Sequence, residues 1–105
     1  MADLVIRNAN IVDGTGAPAY AGDIVIDGQT ITSIEAPGTA PAGDREIDAA
    51  GKLVAPGWVD VHTHYDGQVT WDPEVTPSSW HGATTIVMGN CGVGFAPART
   101  SPEEQ

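Results

Sequence analysis

The sequence predicts a β-rich chain in two parts. A small β-domain occupies residues 1–56, and residues 57–105 open a unit in which two parallel strands are joined by a long loop and a short helix. Three observations carry this expectation. Val and Ile recur in short runs split by turn dipeptides, as strands do. Pro56-Gly57 then interrupts the pattern with a strong turn signal. Beyond it, residues 58–64 alternate at period two, so that Trp58, Asp60, His62 and His64 share one face while Val59, Val61 and Thr63 share the other.

Residues 4–12, Leu-Val-Ile-Arg-Asn-Ala-Asn-Ile-Val, read as a first strand ending in the turn Asp13-Gly14-Thr15-Gly16. Residues 17–20 continue that loop, and residues 23–27 form the next strand. Asp27-Gly28 is a tight hairpin signal leading into residues 30–35, which gives three antiparallel strands. The Pro- and Gly-rich stretch 37–43 cannot continue a sheet and is expected as a loop. Residues 45–48 resume a short strand, and 49–52 turn the chain into Leu53-Val54-Ala55. Asp13, Asp23, Asp27 and Asp48 fall at turns, where short carboxylates bond local backbone N–H groups, so they are read as structural.

After His64, residues 65–75 are polar and aromatic with little periodicity, and read as a long functional loop. Residues 76–82, Thr-Pro-Ser-Ser-Trp-His-Gly, have the capping Thr, early Pro and terminal Gly of a short helix. Residues 84–88 are again a strand. A strand, a crossover and a second strand make a parallel pair, and ligands of such units gather at the C-terminal strand ends.

Composition narrows the functional classes. Four Lys and Arg against fourteen Asp and Glu give a net charge of -10 with no basic cluster, which argues against nucleic acid and anionic membrane surfaces as partners. The start of the chain has no positive region followed by an apolar run, so neither a signal peptide nor a membrane span is expected, and a cytoplasmic location follows by default. The single cysteine, Cys91, has no intrachain partner.

The expected strand ends bring His62, His64 and Cys91 to one rim. Imidazole and thiolate are zinc ligands more than magnesium or calcium ligands. The flanking Gly89 and Gly92 permit close backbone approach and positive φ, which favours a metal-bound thiolate over a buried structural thiol. Asp60 is placed to orient His62, and Asp66 to do the same from the loop or to meet substrate. His81, at the end of the short helix, reads as a capping or surface residue.

The opening Leu-Val-Ile-Arg-Asn-Ala-Asn-Ile-Val-Asp-Gly-Thr-Gly, followed by Pro-Gly-Trp-Val-Asp-Val-His-Thr-His, resembles the start of metal-dependent amidohydrolases. Residues 81–97, with Gly89-Asn90-Cys91-Gly92 at their centre, are similar to the N-acyl-D-amino-acid deacylases, or D-aminoacylases. The resemblance implies part of a small β-sandwich followed by the first strands of a (β/α)8 TIM-type barrel, with zinc at its C-terminal mouth. It makes Cys91 a metal ligand and assigns His62 and His64 to the neighbouring metal position. It further implies hydrolysis of small N-acylated D-amino acids, with two later histidines and a catalytic aspartate coming from outside this chain.

A complete barrel takes about 250 residues, so the 105-residue chain is expected to hold only the beginning, to be inactive alone and to self-associate through its open strand edges. Tyr65 departs from the family pattern, which has an acidic residue there in many members. Two alternatives accompany this reading. One is another amidohydrolase such as a hydantoinase or dihydropyrimidinase, which would use a later lysine in place of Cys91. The other is a non-catalytic β-domain.

Overall fold

In the computed structural model, residues 2–92 are described, and they divide at Pro56-Gly57 into two compact units, Met1–Pro56 and Gly57–Gln105. The first unit is built on one long strand, β1 (Ala2–Ile11). On one edge it pairs antiparallel with β2 (Tyr20–Asp27), which pairs antiparallel with β3 (Thr30–Glu35). These are the three expected antiparallel strands, with β2 beginning already at Tyr20. The other edge of β1 takes two short parallel strands in succession, β4 (Gly43–Asp48) against Ala2–Arg7 and β5 (Leu53–Val54) against Asn10 and Ile11.

The change of partner coincides with an irregularity in β1. Between Ile6 and Ala9 the register with β2 shifts, and Asn8 adopts φ +54, a conformation Asn tolerates better than most residues. Three polar groups of Asn8 are met by distant partners. The Asn8 N–H donates to Asp23 Oδ1 (3.0 Å), its side-chain amide donates to Asp48 Oδ1 (2.9 Å), and its carbonyl accepts from the Gly51 N–H (2.8 Å).

Asp23 corrects the expectation of a local turn carboxylate. It lies inside β2, wholly buried, and its partners are remote: the Asn8 N–H, the Gly38 N–H at 2.8 Å and the Ala40 N–H at 3.5 Å, with the Arg7 guanidinium 3.6 Å away. Burial alone would raise its pKa, but these donors and the Arg7 charge outweigh burial and hold it below the ordinary carboxylate value. Asp27 also acts at long range, accepting the Asp3 N–H of β1. Asp13 and Asp48 behave as the sequence implies, accepting the N–H groups of Thr15 and Ala50 two residues on.

Arg7 completes the tie. It forms a two-bond pair with Glu46 of β4 (2.8 and 2.7 Å) and donates to the Ala40 and Pro41 carbonyls of the 36–42 loop. That loop brings Ala40 against the buried group Ala2, Val5 and Val25. A second buried group comprises Ala9, Ile11, Ile24 and Ala49, with Ile6, Ile26 and Val54 against it. Beside it Ile31 and Ile34 stay exposed over an apolar hollow of about 370 Å³.

The second unit contains the parallel pair β6 (Trp58–Asp60) and β7 (Ala83–Ile86), with Trp58 opposite Ala83 and Asp60 opposite Ile86. Gly57 makes their approach possible, since a Cβ there would fall on the Thr84 side chain, 2.7 Å from its Cβ. The strand expected over 58–64 stops at Asp60, because the Asp60 carboxylate takes the His62 N–H (3.3 Å) and bends the chain as an Asx-type turn does. The short helix expected over 76–82 is also corrected. Only a 3-10 turn forms, Ser79–His81, preceded in the loop by another over Gln68–Thr70. Thr76 is tied into the loop instead, its N–H and hydroxyl both donating to Asp72, each at 2.8 Å, and the turn has Ser78 at its N-cap position with no side-chain cap.

Candidate metal centre

Because β6 and β7 run in the same direction, the segments leaving them emerge at the same end. The β6 side carries His62 and His64, and the β7 side carries Cys91. Backbone bonds keep the two segments together past the strands: the Val87 N–H donates to Asp60 O (2.8 Å) and the Thr63 N–H to Val87 O (3.0 Å). The Thr63 hydroxyl donates to the same Val87 carbonyl (2.9 Å).

Alternation outlasts the strand. Thr63 and Tyr65 are buried, and His62 and His64 are exposed on the opposite side. Their rings lie side by side, with centroids 5.6 Å apart and planes inclined by 41°. Cys91, an exposed free thiol, approaches them so that one ligand atom from each residue lies within 4.8 Å of the other two.

The donor set fits a divalent transition metal. Zinc bonds imidazole nitrogen at about 2.0 Å and thiolate at about 2.3 Å, which puts ligand atoms on one tetrahedral ion about 3.5 Å apart. Small side-chain rotations cover the difference from the observed spacing. Among the described residues no hydrogen bond engages either imidazole or the Cys91 thiol, so their lone pairs are not committed elsewhere. Gly89 and Gly92, on either side of Cys91, have φ of +82 and +77, the left-handed conformations their sequence context calls for.

A cleft of about 300 Å³ runs beside the histidines, lined by Asp60, Thr63, Tyr65, Gln68 and Pro77. Its wall is fixed by the crossover. The Tyr65 hydroxyl lies 2.9 Å from Ser78 Oγ and accepts the Ser78 N–H, so this departure from the family pattern pins the loop. Asp72 gathers Gln68 Nε2, the Thr76 N–H and hydroxyl and the Glu74 N–H, a set that pulls its pKa down to about 2, with Gln68 the largest contributor.

The remaining sequence candidates are placed as follows. Asp60 meets the backbone of His62 rather than its ring. Asp66 is half-buried, its Oδ1 3.6 Å from where a Cβ on Gly89 would stand, which sets it beside the Cys91 loop. His81 is exposed and lines a separate hollow with Trp58, Pro77 and Ser78, outside the three-residue cluster. Sequence reasoning does not single out Thr63 or Asn90. Thr63 was visible only as a residue on the apolar face, and Asn90 only as a member of the Gly89-Asn90-Cys91-Gly92 motif, with no role of its own.

The chain has relatives among known proteins. Residues 45–105 match the amidohydrolase family model. The chain is 44% identical over 96 residues to an N-acyl-D-aspartate deacylase of Alcaligenes xylosoxydans xylosoxydans, covering 91% of this chain and 19% of that protein. Among solved structures it superimposes on a D-aminoacylase with a TM-score of 0.84 at 37% identity, covering 97% of this chain and 22% of that one. It also superimposes on the N-acyl-D-glutamate deacylase of Bordetella bronchiseptica, complexed with zinc and a phosphonate mimic of the tetrahedral intermediate. There the TM-score is 0.82 at 41% identity, with 92% and 20% coverage. The chain thus spans about a fifth of the length of these relatives. The part it matches is their opening, a β-domain followed by the beginning of a barrel. On sequence and structure together, the chain belongs to the amidohydrolase family.

Proposed function

We propose that this chain is the metal-binding opening of a zinc-dependent hydrolase that cleaves the amide bond of N-acyl-D-amino acids. The observation that carries the proposal is the convergence of His62, His64 and Cys91 to within 4.8 Å at the ends of two parallel strands. The relatives supply the substrate class, since they are deacylases of N-acyl-D-aspartate and N-acyl-D-glutamate. Cys91 is the assignment that separates this reading from a hydantoinase-like one, in which a lysine from a later strand would serve.

Zinc held by these residues would polarise the scissile carbonyl and acidify a water near neutral pH. The chain's own residues do the holding and shaping. Cys91 and the two imidazoles present their donors toward one point. Thr63 fixes the His-bearing segment to Val87, and Tyr65, through Ser78, fixes the cleft wall against which a substrate would lie. Between residues 57 and 92 there is no Lys or Arg, whereas Asp60, Asp66, Asp72 and Glu74 are all present. A carboxylate on the substrate therefore meets no Lys or Arg from this stretch, and its cationic partner comes from elsewhere in the protein.

The test pairs two chains. The complete reading frame, purified with zinc, is assayed for release of free amine from matched N-acetyl D- and L-amino acids, and the 105-residue chain is assayed beside it. Turnover confined to the D series in the complete protein, with none in the 105-residue chain, is expected. Turnover of cyclic ureides instead would favour the hydantoinase-like reading, and metal-dependent turnover by the 105-residue chain would overturn the account of what it lacks.

A further inference from the structure

Beyond Val87 the chain turns at Gly89, and among the described residues no further backbone hydrogen bond joins the His62–His64 segment to residues 88–92. One side chain spans the gap. Asn90 Nδ2 donates to the Val61 carbonyl at 2.8 Å. The donor immediately precedes Cys91, and the acceptor immediately precedes His62. A carbonyl only accepts, so the amide nitrogen and not its oxygen must face Val61.

We infer that Asn90 is a positioning residue for the metal centre. Its amide takes the place of the missing backbone rung and sets the distance of the Cys91 thiol from His62 and His64. Without it, the loop 88–92 is tied to the histidine segment only through Val87, four residues before the thiol. A donor set spread by even a fraction of its present 4.8 Å span closes on an ion less well, and substitutions of groups that orient metal ligands typically cost about tenfold to a hundredfold in affinity. Asn90 is exposed, so its removal leaves no cavity and its effect should fall on the metal rather than on the fold.

The inference rests on the metal reading above, and the experiment separates the two. Cobalt(II) is titrated into the full chain, and affinity is read from the thiolate-to-cobalt charge-transfer band, with thermal melting of the metal-free chain recorded in parallel. Two variants are used: Asn90→Leu, of similar size with no donor, and Asn90→Asp, of the same shape with acceptors only. Cys91→Ala is the control. The expected result is cobalt affinity about tenfold to a hundredfold weaker in Asn90→Leu, with a melting curve like the parent's. Should Asn90→Leu melt early, Asn90→Asp decides: a weakened or displaced charge-transfer band supports the role. Parent-like affinity and band in a folded Asn90 variant overturn the inference while leaving the metal reading standing. A parent chain whose spectrum matches Cys91→Ala overturns both.

Discussion

Replacing Asp23 with Ala should be the most damaging single change in the β-domain. The carboxylate is wholly buried and ties β1, β2 and the 36–42 loop together, accepting the Asn8 N–H at 3.0 Å and the Gly38 N–H at 2.8 Å, with a longer contact to Ala40. Removing it leaves the two close donors without an acceptor, at about 1–3 kcal/mol each, so about 4 kcal/mol in all. A unit the size of Met1–Pro56 carries a total stability of roughly 3–8 kcal/mol at the usual value per residue. The loss is therefore half or more of what is available. Melting followed by far-UV circular dichroism at neutral pH should fall by on the order of 20 °C. Because the folded-state pKa of Asp23 lies below its ordinary value, the stability it confers is complete above the unfolded-state value of about 4 and fades as pH falls through the folded-state value. The gap between parent and Asp23→Ala should accordingly narrow in acid. A drop in melting temperature of less than about 4 °C, corresponding to under 1 kcal/mol, would refute the reasoning, since it would mean that the two N–H groups find other acceptors at little cost.

Four further outcomes are expected. Glu46, held at about 2 chiefly by its hydrogen bonds with Arg7 and then by the Gly43 N–H, should titrate in NMR well below an ordinary glutamate; the β1–β4 pairing it supports is intact above about pH 4.5 and weakens as pH falls toward 2. Gly57→Ala should push Thr84 away, at about 1–3 kcal/mol, and weaken cobalt binding by parting β6 from β7; Thr84→Ala in the same chain should restore part of both, and no restoration would argue against the contact. After dialysis of the complete protein, Cys91→Ala should have lost its tightly held zinc and His62→Ala should have kept most of it, with equal retention in Cys91→Ala and parent contradicting the ligand assignment. Light scattering of the 105-residue chain should show self-association through the second unit, where Trp58, Val59, Val61, Trp71 and Trp80 are exposed; a monodisperse monomer would count against it.

The parts of this molecule that could be read from the sequence are those decided by neighbours along the chain. The β2–β3 hairpin is written in Asp27-Gly28, and the opposed faces of His62/His64 and Thr63/Tyr65 follow from period two, which survives in burial although the regular strand ends at Asp60. Features decided by distant partners were not legible. Leu53–Val54 is too short to show periodicity and owes its strand character to Asn10 and Ile11, more than forty positions earlier. Thr76 has the profile of a helix cap, but it is bonded back to Asp72 in the loop, and the expected helix is a single turn with Ser78 at its N-cap position. Asp23 looks like a turn residue until Gly38 and Ala40 fold back on it. The convergence of His62, His64 and Cys91 was legible because such side chains are rare and distinctive. The task of Asn90 was not, because within the Gly89-Asn90-Cys91-Gly92 motif nothing marks its side chain, and only the position of the Val61 carbonyl gives it a partner.

The two-sided pairing of β1 also orders events in time. Its antiparallel partner β2 follows within a short loop, so that the β1–β2–β3 meander can close as soon as those residues are synthesised. The parallel partners arrive much later: Leu4 waits for Arg45, and Asn10 for Leu53. Until then one whole margin of the first strand stands open on the growing chain, in the interval when a neighbouring nascent chain could pair with it. Arg7 sits on that margin, and a charge there discourages such pairing until Glu46 emerges to neutralise it. The arginine that locks β4 in the finished fold is thus, during synthesis, a guard on an unfinished edge.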